Sequence, residues 1–209
     1  IANPRLTKRL TISVSGIEDG DLVISDARQK VTKTNSGYEY EVSVGETSSK
    51  TSVTLPITSA EYLPLQASAP FLEAKDPELT RLAAEICGKE TNALAAAGRI
   101  KEWVHSHMTP DASIGVPRSA LEINRKRKGV CRDYATFFAG IARAAGIPTR
   151  VTGGIVYQDG RFFYHAWVEC WTGEWVPFDP TQPADFVDAT HVKFAQGDVT
   201  DMFKVASIV

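Results

Sequence analysis

The spacing of hydrophobic residues changes along the chain, and the change falls in the proline-containing segment 56–76. Before it, short runs rich in Val, Ile, Thr and Ser alternate apolar with polar side chains, as in Tyr38–Val44, so that every second residue can face a core. Turn residues such as Asn35-Ser36-Gly37 separate these runs, which is typical of antiparallel strands. The predicted strands are Leu10–Ser15, Leu22–Ser25, Tyr38–Val44 and Ser49–Leu55.

Helix signals follow the prolines. Asp76 is placed as an N-cap before Pro77 at the first helical position, and Gly88 ends that helix. Ser119 and Glu122 have the spacing of a capping box. The four predicted helices begin at Pro77, at Thr91, at Ser119 (ending at about Lys128) and near Cys131 (ending at Gly146, before Pro148).

Strand-like runs return after the fourth helix. They are Arg150–Tyr157, Phe162–Trp171 and Trp175–Asp179, joined by hairpin-type connectors. Helices packed on an antiparallel sheet indicate an α+β fold for this half. We therefore predict a small antiparallel β domain in residues 1–66 and a helix-and-sheet domain in residues 67–209.

Composition and charge exclude several classes of protein. The 209 residues are 43% hydrophobic and 23% charged, which indicates an ordinary globular chain. The net charge of -2 gives no general attraction to nucleic acid, and the basic run Arg125–Lys128 has no aromatic stripe beside it. No apolar run approaches the roughly 18 residues of a membrane span. Because the chain begins with Ile1, we expect a processed product or part of a longer chain, with an exported, envelope-facing location.

The three cysteines, Cys87, Cys131 and Cys170, are an odd number without close pairing, so we expect no disulfide framework. There is no Cys-x-x-Cys pair, and His105 and His107 are too close in sequence to share a helix face. We therefore expect no metal site and no cofactor. The sequence leaves the oligomeric state open.

Cys131 starts the best-defined helix. A helix N-terminus stabilises a thiolate, and its free N–H groups can bind a developing oxyanion. The alternative is a small buried apolar residue, which describes most free cysteines and fits Cys87 and Cys170.

His165 lies in the middle of a predicted strand, where a rigid imidazole suits a general base. Asp179 ends the adjoining hairpin strand, where a carboxylate can fix the tautomer of His165. The alternatives are a merely hydrogen-bonded strand histidine and an aspartate that caps a turn.

The order of these motifs resembles the bacterial transglutaminase-like superfamily over about residues 76–200. The resemblance implies a papain-like core in which Cys131 is the nucleophile, His165 the base and acid, and Asp179 the residue that orients His165. Trp103, Asn124, Asp133 and Trp167 are weaker candidates for the cleft, and Asp133 also fits a plain role in the first helical turn. The resembling blocks are Ser119–Ala135, Ala142–Arg150, His165–Glu169 and Trp175–Thr181.

The resemblance implies acyl transfer on amide or peptide bonds through a thioester on Cys131, with a protein or peptide substrate. We expect hydrolysis, as in a cysteine peptidase or amidase, because it needs only water. The alternatives are a true transglutaminase, an acyltransferase that uses a thioester donor, and a binding scaffold that kept the fold without catalysis.

Overall fold

The computed structural model describes residues 1–16, 22–45, 53–184 and 186–206. Its N-terminal part is a three-stranded antiparallel sheet in the order β1-β3-β2. The strands are β1 (Arg9–Val14), β2 (Gln29–Thr34) and β3 (Gly37–Ser43).

The strands predicted at Leu10–Ser15 and Tyr38–Val44 are confirmed, but the one at Leu22–Ser25 is wrong. Leu22 is buried in a loop, where its carbonyl accepts a hydrogen bond from the Tyr40 hydroxyl. The neighbouring strand is instead the largely polar β2, which pairs with β3 along its whole length. Backbone pairing, rather than an apolar pattern, forms it. Most of the strand predicted at Ser49–Leu55 lies outside the described residues.

All four predicted helices are present. Asp76 caps the first by accepting from the Glu78 N–H, and Ser119 and Glu122 form the capping box of the third. The second begins at Ala93, two residues later than predicted, because Asn92 provides the N-cap. The helices are α1 (Pro77–Cys87), α2 (Ala93–His107), α3 (Ala120–Lys126), α4 (Cys131–Ala144) and a short α5 (Met202–Ala206). Among the described residues, no helix combines the length and apolar character that a membrane crossing needs.

Two short strands, β4 (Thr109–Pro110) and β5 (Lys128–Gly129), pair in parallel just before α4. The main sheet follows and is antiparallel, in the order β8-β7-β6-β9. Three of its strands match the predicted runs, whereas β9 was not predicted. They are β6 (Thr149–Gln158), β7 (Arg161–Trp171), β8 (Trp175–Phe178) and β9 (Val192–Gly197).

Helix α4 lies at the centre of the core. Every residue from 133 to 143 is buried, and Phe138 stacks on Phe178 of β8 with ring centroids 5.8 Å apart. The N-terminal sheet joins the same core, since Tyr40 packs edge-on against Phe194 of β9. The mixed α and β architecture is therefore as predicted, while the division into residues 1–66 and 67–209 stays a prediction.

Candidate active site

The hairpin β7–β8 brings His165 and Asp179 together. His165 lies within β7, and Val168 of β7 pairs with Phe178, the last residue of β8. Asp179 follows directly, so its carboxylate reaches back along β7, and Oδ2 lies 2.8 Å from Nε2 of His165. Both side chains are buried. The contact that the hairpin pattern predicted is present.

Cys131 is the first residue of α4, and a buried carboxylate fixes its position. Asp133 Oδ2 accepts the Val130 N–H at 3.0 Å and pairs with the Arg118 guanidinium at 3.2 Å. A Cβ at Gly129 would lie 2.4 Å from that same oxygen, so only glycine fits the approach to the turn. Asp133 thus has the structural role in the first helical turn that its position suggested, and it fixes the start of α4, where the Cys131 thiol lies.

The Cys131 thiol lies close enough to the ring of His165 to act on its pKa. Since Nε2 contacts Asp179, Nδ1 is the ring nitrogen left for sulfur. Burial by itself would lower the pKa of His165, but the charge and hydrogen bond of Asp179, together with the nearby Cys131 thiol, raise that pKa to about 10. His165 is therefore an imidazolium near neutral pH, and a neighbouring cation favours the thiolate form of a cysteine.

Each carboxylate oxygen of Asp179 has two hydrogen-bond partners. Its Oδ1 accepts two hydrogen bonds from Thr181, from the backbone N–H at 2.9 Å and from the hydroxyl at 2.7 Å. Its Oδ2 faces His165 and a second histidine, His191, at 3.1 Å. Burial alone would raise the pKa of Asp179, but these partners hold it well below its usual range. The Asp179 carboxyl is therefore ionised near neutral pH.

His191 was absent from the sequence interpretation, because it lies next to β9, the strand that was not predicted. One signal could have pointed to it. Asp188-Ala189-Thr190 repeats the pattern of Asp179-Pro180-Thr181 and directly precedes the histidine. In both places the aspartate Oδ1 accepts from the threonine N–H and hydroxyl two residues later.

His165, Asp179 and His191 also present three potential ligand atoms within 4.8 Å of one another. Two imidazoles and a carboxylate suit Zn²⁺. The same atoms, however, already make N–H···O hydrogen bonds with each other, at 2.8 and 3.1 Å. We therefore describe these side chains as a hydrogen-bonded group.

The other thiols differ from Cys131 in their surroundings. Cys87 and Cys170 are buried, whereas Cys131 is half-buried. Burial raises the pKa of Cys87, and it raises that of Cys170 to about 12. Neither is suited to form a thiolate near neutral pH. Tyr164, beside Cys131, has its pKa raised to about 12, first by burial and then by the nearby thiol, so its phenol stays neutral.

The weaker candidates have other partners. The Trp103 ring stacks on His107 at 4.3 Å and lies under the Arg127 guanidinium at 4.5 Å. The Asn124 amide donates to Glu78 and accepts from Arg127. Trp167 is buried and contacts the rings of both histidines, 6.2 Å from His165 and 5.3 Å from His191. A role for Trp103, Asn124 or Trp167 in the cleft stays a prediction.

The part of the chain that contains the site is similar to known proteins. Residues 80–180 match the family model of the transglutaminase-like superfamily. An uncharacterized protein of Mycobacterium leprae is 30% identical over 128 residues, covering 56% of this chain and 44% of that protein. A protein-glutamine gamma-glutamyltransferase of Pseudomonas aeruginosa is 44% identical over 69 residues, covering 26% of this chain and 10% of that protein. The chain thus spans less than half the length of either relative.

Among solved structures, a crystal structure from Cytophaga hutchinsonii, described as that of a candidate cysteine protease, superposes with a TM-score of 0.64. The match covers 93% of this chain and 78% of that one at 21% identity. At that identity the likeness concerns the fold. It confirms the helix-on-antiparallel-sheet, papain-like class that the sequence predicted.

Proposed function

We propose that the chain, whose residues 80–180 match the transglutaminase-like superfamily, catalyses thiol-dependent acyl transfer on amide bonds of a peptide or protein. The observation that carries the proposal is the buried 2.8 Å bond between His165 and Asp179, beside the thiol that begins α4 and acts on the pKa of the same imidazole. Cys131, His165 and Asp179 are the proposed catalytic residues.

In the first step the Cys131 thiolate attacks the amide carbonyl carbon. The C–N bond breaks, the imidazolium of His165 gives its proton to the departing amine, and an acyl thioester remains on sulfur. Asp179 keeps its negative charge throughout and stabilises the imidazolium.

The start of α4 is the proposed oxyanion site. The first N–H groups of a helix have no partner inside the helix, and the dipole there favours negative charge. The backbone N–H groups of Cys131 and Arg132 lie in this first turn. We assign the stabilisation of the tetrahedral intermediate to these groups rather than to a side chain.

Hydrolysis is the preferred second step. Water attacks the thioester, His165 accepts its proton, and the carboxylic acid leaves as sulfur regains the thiolate form. Transfer to an amine is the second candidate, and the local identity with the Pseudomonas aeruginosa glutamyltransferase favours it. The two reactions share every residue named above and differ only in the acceptor.

Alkylation by iodoacetamide tests the activated thiol. Near neutral pH we expect Cys131 to be alkylated rapidly, with Cys87 and Cys170 unmodified in the native protein. Because burial alone protects the latter two, the decisive comparison is Cys131 in the wild type against Cys131 in His165→Gln. Without the imidazolium, we expect the rate to fall about tenfold or more. Equal rates would remove the basis of the proposal.

Mass spectrometry of a peptide library, incubated with and without a primary amine, identifies the acceptor. Cleaved or deamidated peptides indicate hydrolysis, and amine adducts indicate transfer. Cys131→Ser is the inactive control, and Cys87→Ser is its matched partner, which should retain activity. A reactive thiol without either product would favour the scaffold over the enzyme.

A further inference from the structure

His191 is a buried histidine held between two carboxylates. Its Nε2 lies 3.1 Å from Asp179 Oδ2. On the other side of the ring, Nδ1 lies 3.3 Å from the Asp188 carbonyl and 3.5 Å from Asp188 Oδ2. Each ring nitrogen therefore faces oxygen acceptors. Burial of an imidazole in the core costs free energy unless its nitrogens are hydrogen-bonded. Here the two nitrogens of His191 contact Asp179 of the site and Asp188 beside it.

Asp188 is fixed as firmly as Asp179. Thr190 donates its N–H and hydroxyl to Oδ1 of Asp188, at 2.8 and 2.5 Å. Oδ2 of Asp188 pairs with the Arg5 guanidinium at 3.0 Å. Arg5 comes from the N-terminal segment and is itself anchored on the Tyr157 carbonyl and the Thr190 hydroxyl. The series His165, Asp179, His191, Asp188 and Arg5 thus runs from the thiol to the start of the chain.

We propose that His191 is a positioning residue for Asp179, an inference that rests on the proposed function. Thr181 holds only Oδ1 of Asp179, so the carboxylate could still turn about that oxygen. The Nε2–H of His191 prevents this by keeping Oδ2 directed at His165. Asp188 and Arg5 fix the ring of His191 in turn. The effect reaches Cys131 because the Asp179 charge is what raises the pKa of His165.

Three other charged groups lie near His191. Arg28, Glu169 and Lys193 line a small cavity with it, on the side of the N-terminal sheet. Glu169 and Lys193 are paired with each other at 2.9 Å, and the Arg28 guanidinium donates to the carbonyls of Val187 and Asp188. None of these contacts supplies a donor to Asp179, which leaves the positioning role to His191.

The test is the pH dependence of Cys131 alkylation in the full chain, measured in EDTA so that adventitious zinc cannot contribute. In His191→Phe the ring is kept in size but the donor is lost. We expect alkylation at mildly acidic pH to slow about tenfold, since a hydrogen bond to a buried charge is strong, and the midpoint of the profile to move to higher pH. His191→Gln can place an amide N–H near Asp179 and should restore most of the rate.

Asp188→Asn provides an independent variant, because it removes the negative charge beside the His191 ring, and we expect a smaller slowing in the same direction. His107→Phe is the matched control, because His107 is exposed on α2 and has no contact with the triad; its profile should match the wild type. Thermal unfolding of each variant separates loss of fold from loss of positioning.

A His191→Phe or Asp188→Asn profile that superposes on a reactive wild type would overturn the inference and leave the proposed function intact. An unreactive wild-type Cys131 would instead overturn the proposed function itself. Faster alkylation in His191→Phe would also contradict the inference, because it would mean that His191 competes with His165 for Asp179.

Discussion

The carboxylate of Asp179 is the residue on which the site depends. It accepts four hydrogen bonds, two from Thr181 and one from each of two histidines. Its location followed from the hairpin pattern, because side chains at the end of β8 must lie beside those in the middle of β7. Its second histidine did not, because nothing local in the sequence ties residue 191 to residue 179.

Replacement of Asp179 by Asn tests the charge separately from the shape. Without the negative charge, burial dominates and the pKa of His165 falls from about 10. The imidazolium is then lost near neutral pH, so we expect Cys131 alkylation there to slow about tenfold or more, measured by labelling quenched at timed intervals.

The raised pKa of His165 also affects stability. It stabilises the fold at pH below the usual histidine pKa, and this contribution is lost as the pH rises through about 10.

Asp159, which is exposed in the turn between β6 and β7, provides the matched control. Asp159→Asn should leave the alkylation rate unchanged. A decrease as large as that of Asp179→Asn would show that the rate reports general loss of negative charge.

At the scale of elements, the start of α4 decides where the thiol lies. The sequence placed it correctly, since Gly129, Asp133 and the apolar stripe of α4 are local signals. The helix begins without a side-chain cap at Val130. The Asp133 carboxylate takes the place of a capping side chain by accepting the Val130 N–H. The ion pair of Asp133 with Arg118 fixes that carboxylate in the core.

Gly129→Ala tests this packing. The new Cβ would lie 2.4 Å from Asp133 Oδ2 and 2.5 Å from its Cβ, so the start of α4 must shift. We expect a loss of about 1–3 kcal/mol in the free energy of unfolding, with slower alkylation of Cys131. Denaturant titration and the labelling rate measure the two effects.

Gly98→Ala is the matched substitution within a helix. Gly98 lies in α2, and nothing is within 4 Å of its added Cβ. Alanine is the better helix former by about 0.5–1 kcal/mol, so this variant should be as stable as the wild type or more stable. Destabilisation of both variants to the same extent would argue against a special role for the Gly129 contact.

At the scale of the whole molecule, a buried ion cluster joins the N-terminal sheet to the main sheet. Lys193 of β9 pairs with Glu169 of β7 at 2.9 Å and with Asp26, which precedes β2. Arg150 of β6 completes the cluster with a 2.6 Å contact to Glu169. Gln29 adds two neutral hydrogen bonds to the backbone of Lys193. The two sheets are thus bound by polar contacts as well as by the packing of Tyr40 on Phe194.

Lys193→Met removes the central cation and leaves two carboxylates short of a partner. Loss of one member of a buried pair costs about 3–5 kcal/mol, and we expect that decrease in the free energy of unfolding. Lys30→Met is the control, because its pair with Glu41 is exposed and should change stability by less than about 1 kcal/mol. Equal effects in denaturant titration would contradict a structural role for the cluster.

The same variant should change the response to acid. Burial would raise the pKa of Asp26, but Lys193 and two backbone N–H groups lower it below its usual range. Such a group stabilises the fold above the usual carboxyl pKa, and its contribution is lost as the pH falls through the lowered value. Lys193→Met should therefore lose less stability between neutral and acidic pH than the wild type does, as measured by unfolding at several pH values.

The sequence alone determined the helices α1 to α4, three strands of the main sheet and the places of Cys131, His165 and Asp179. These follow from local physics: caps, turns and hydrophobic period act over a few residues, and a hairpin extends them to a neighbouring strand. The same reasoning failed at Leu22–Ser25, where pairing with β3 selected the polar run Gln29–Thr34 instead.

Only the tertiary structure decided the surroundings of the site. Strand β9 joins the sheet beside β6, about 40 residues away in sequence, and its pairing shifts register at Gly153 and Gly154. That pairing brings His191 to Asp179 and Lys193 to Glu169. Hydrogen bonds and ion pairs between distant segments depend on where the backbones meet, and no local pattern of side chains encodes that meeting.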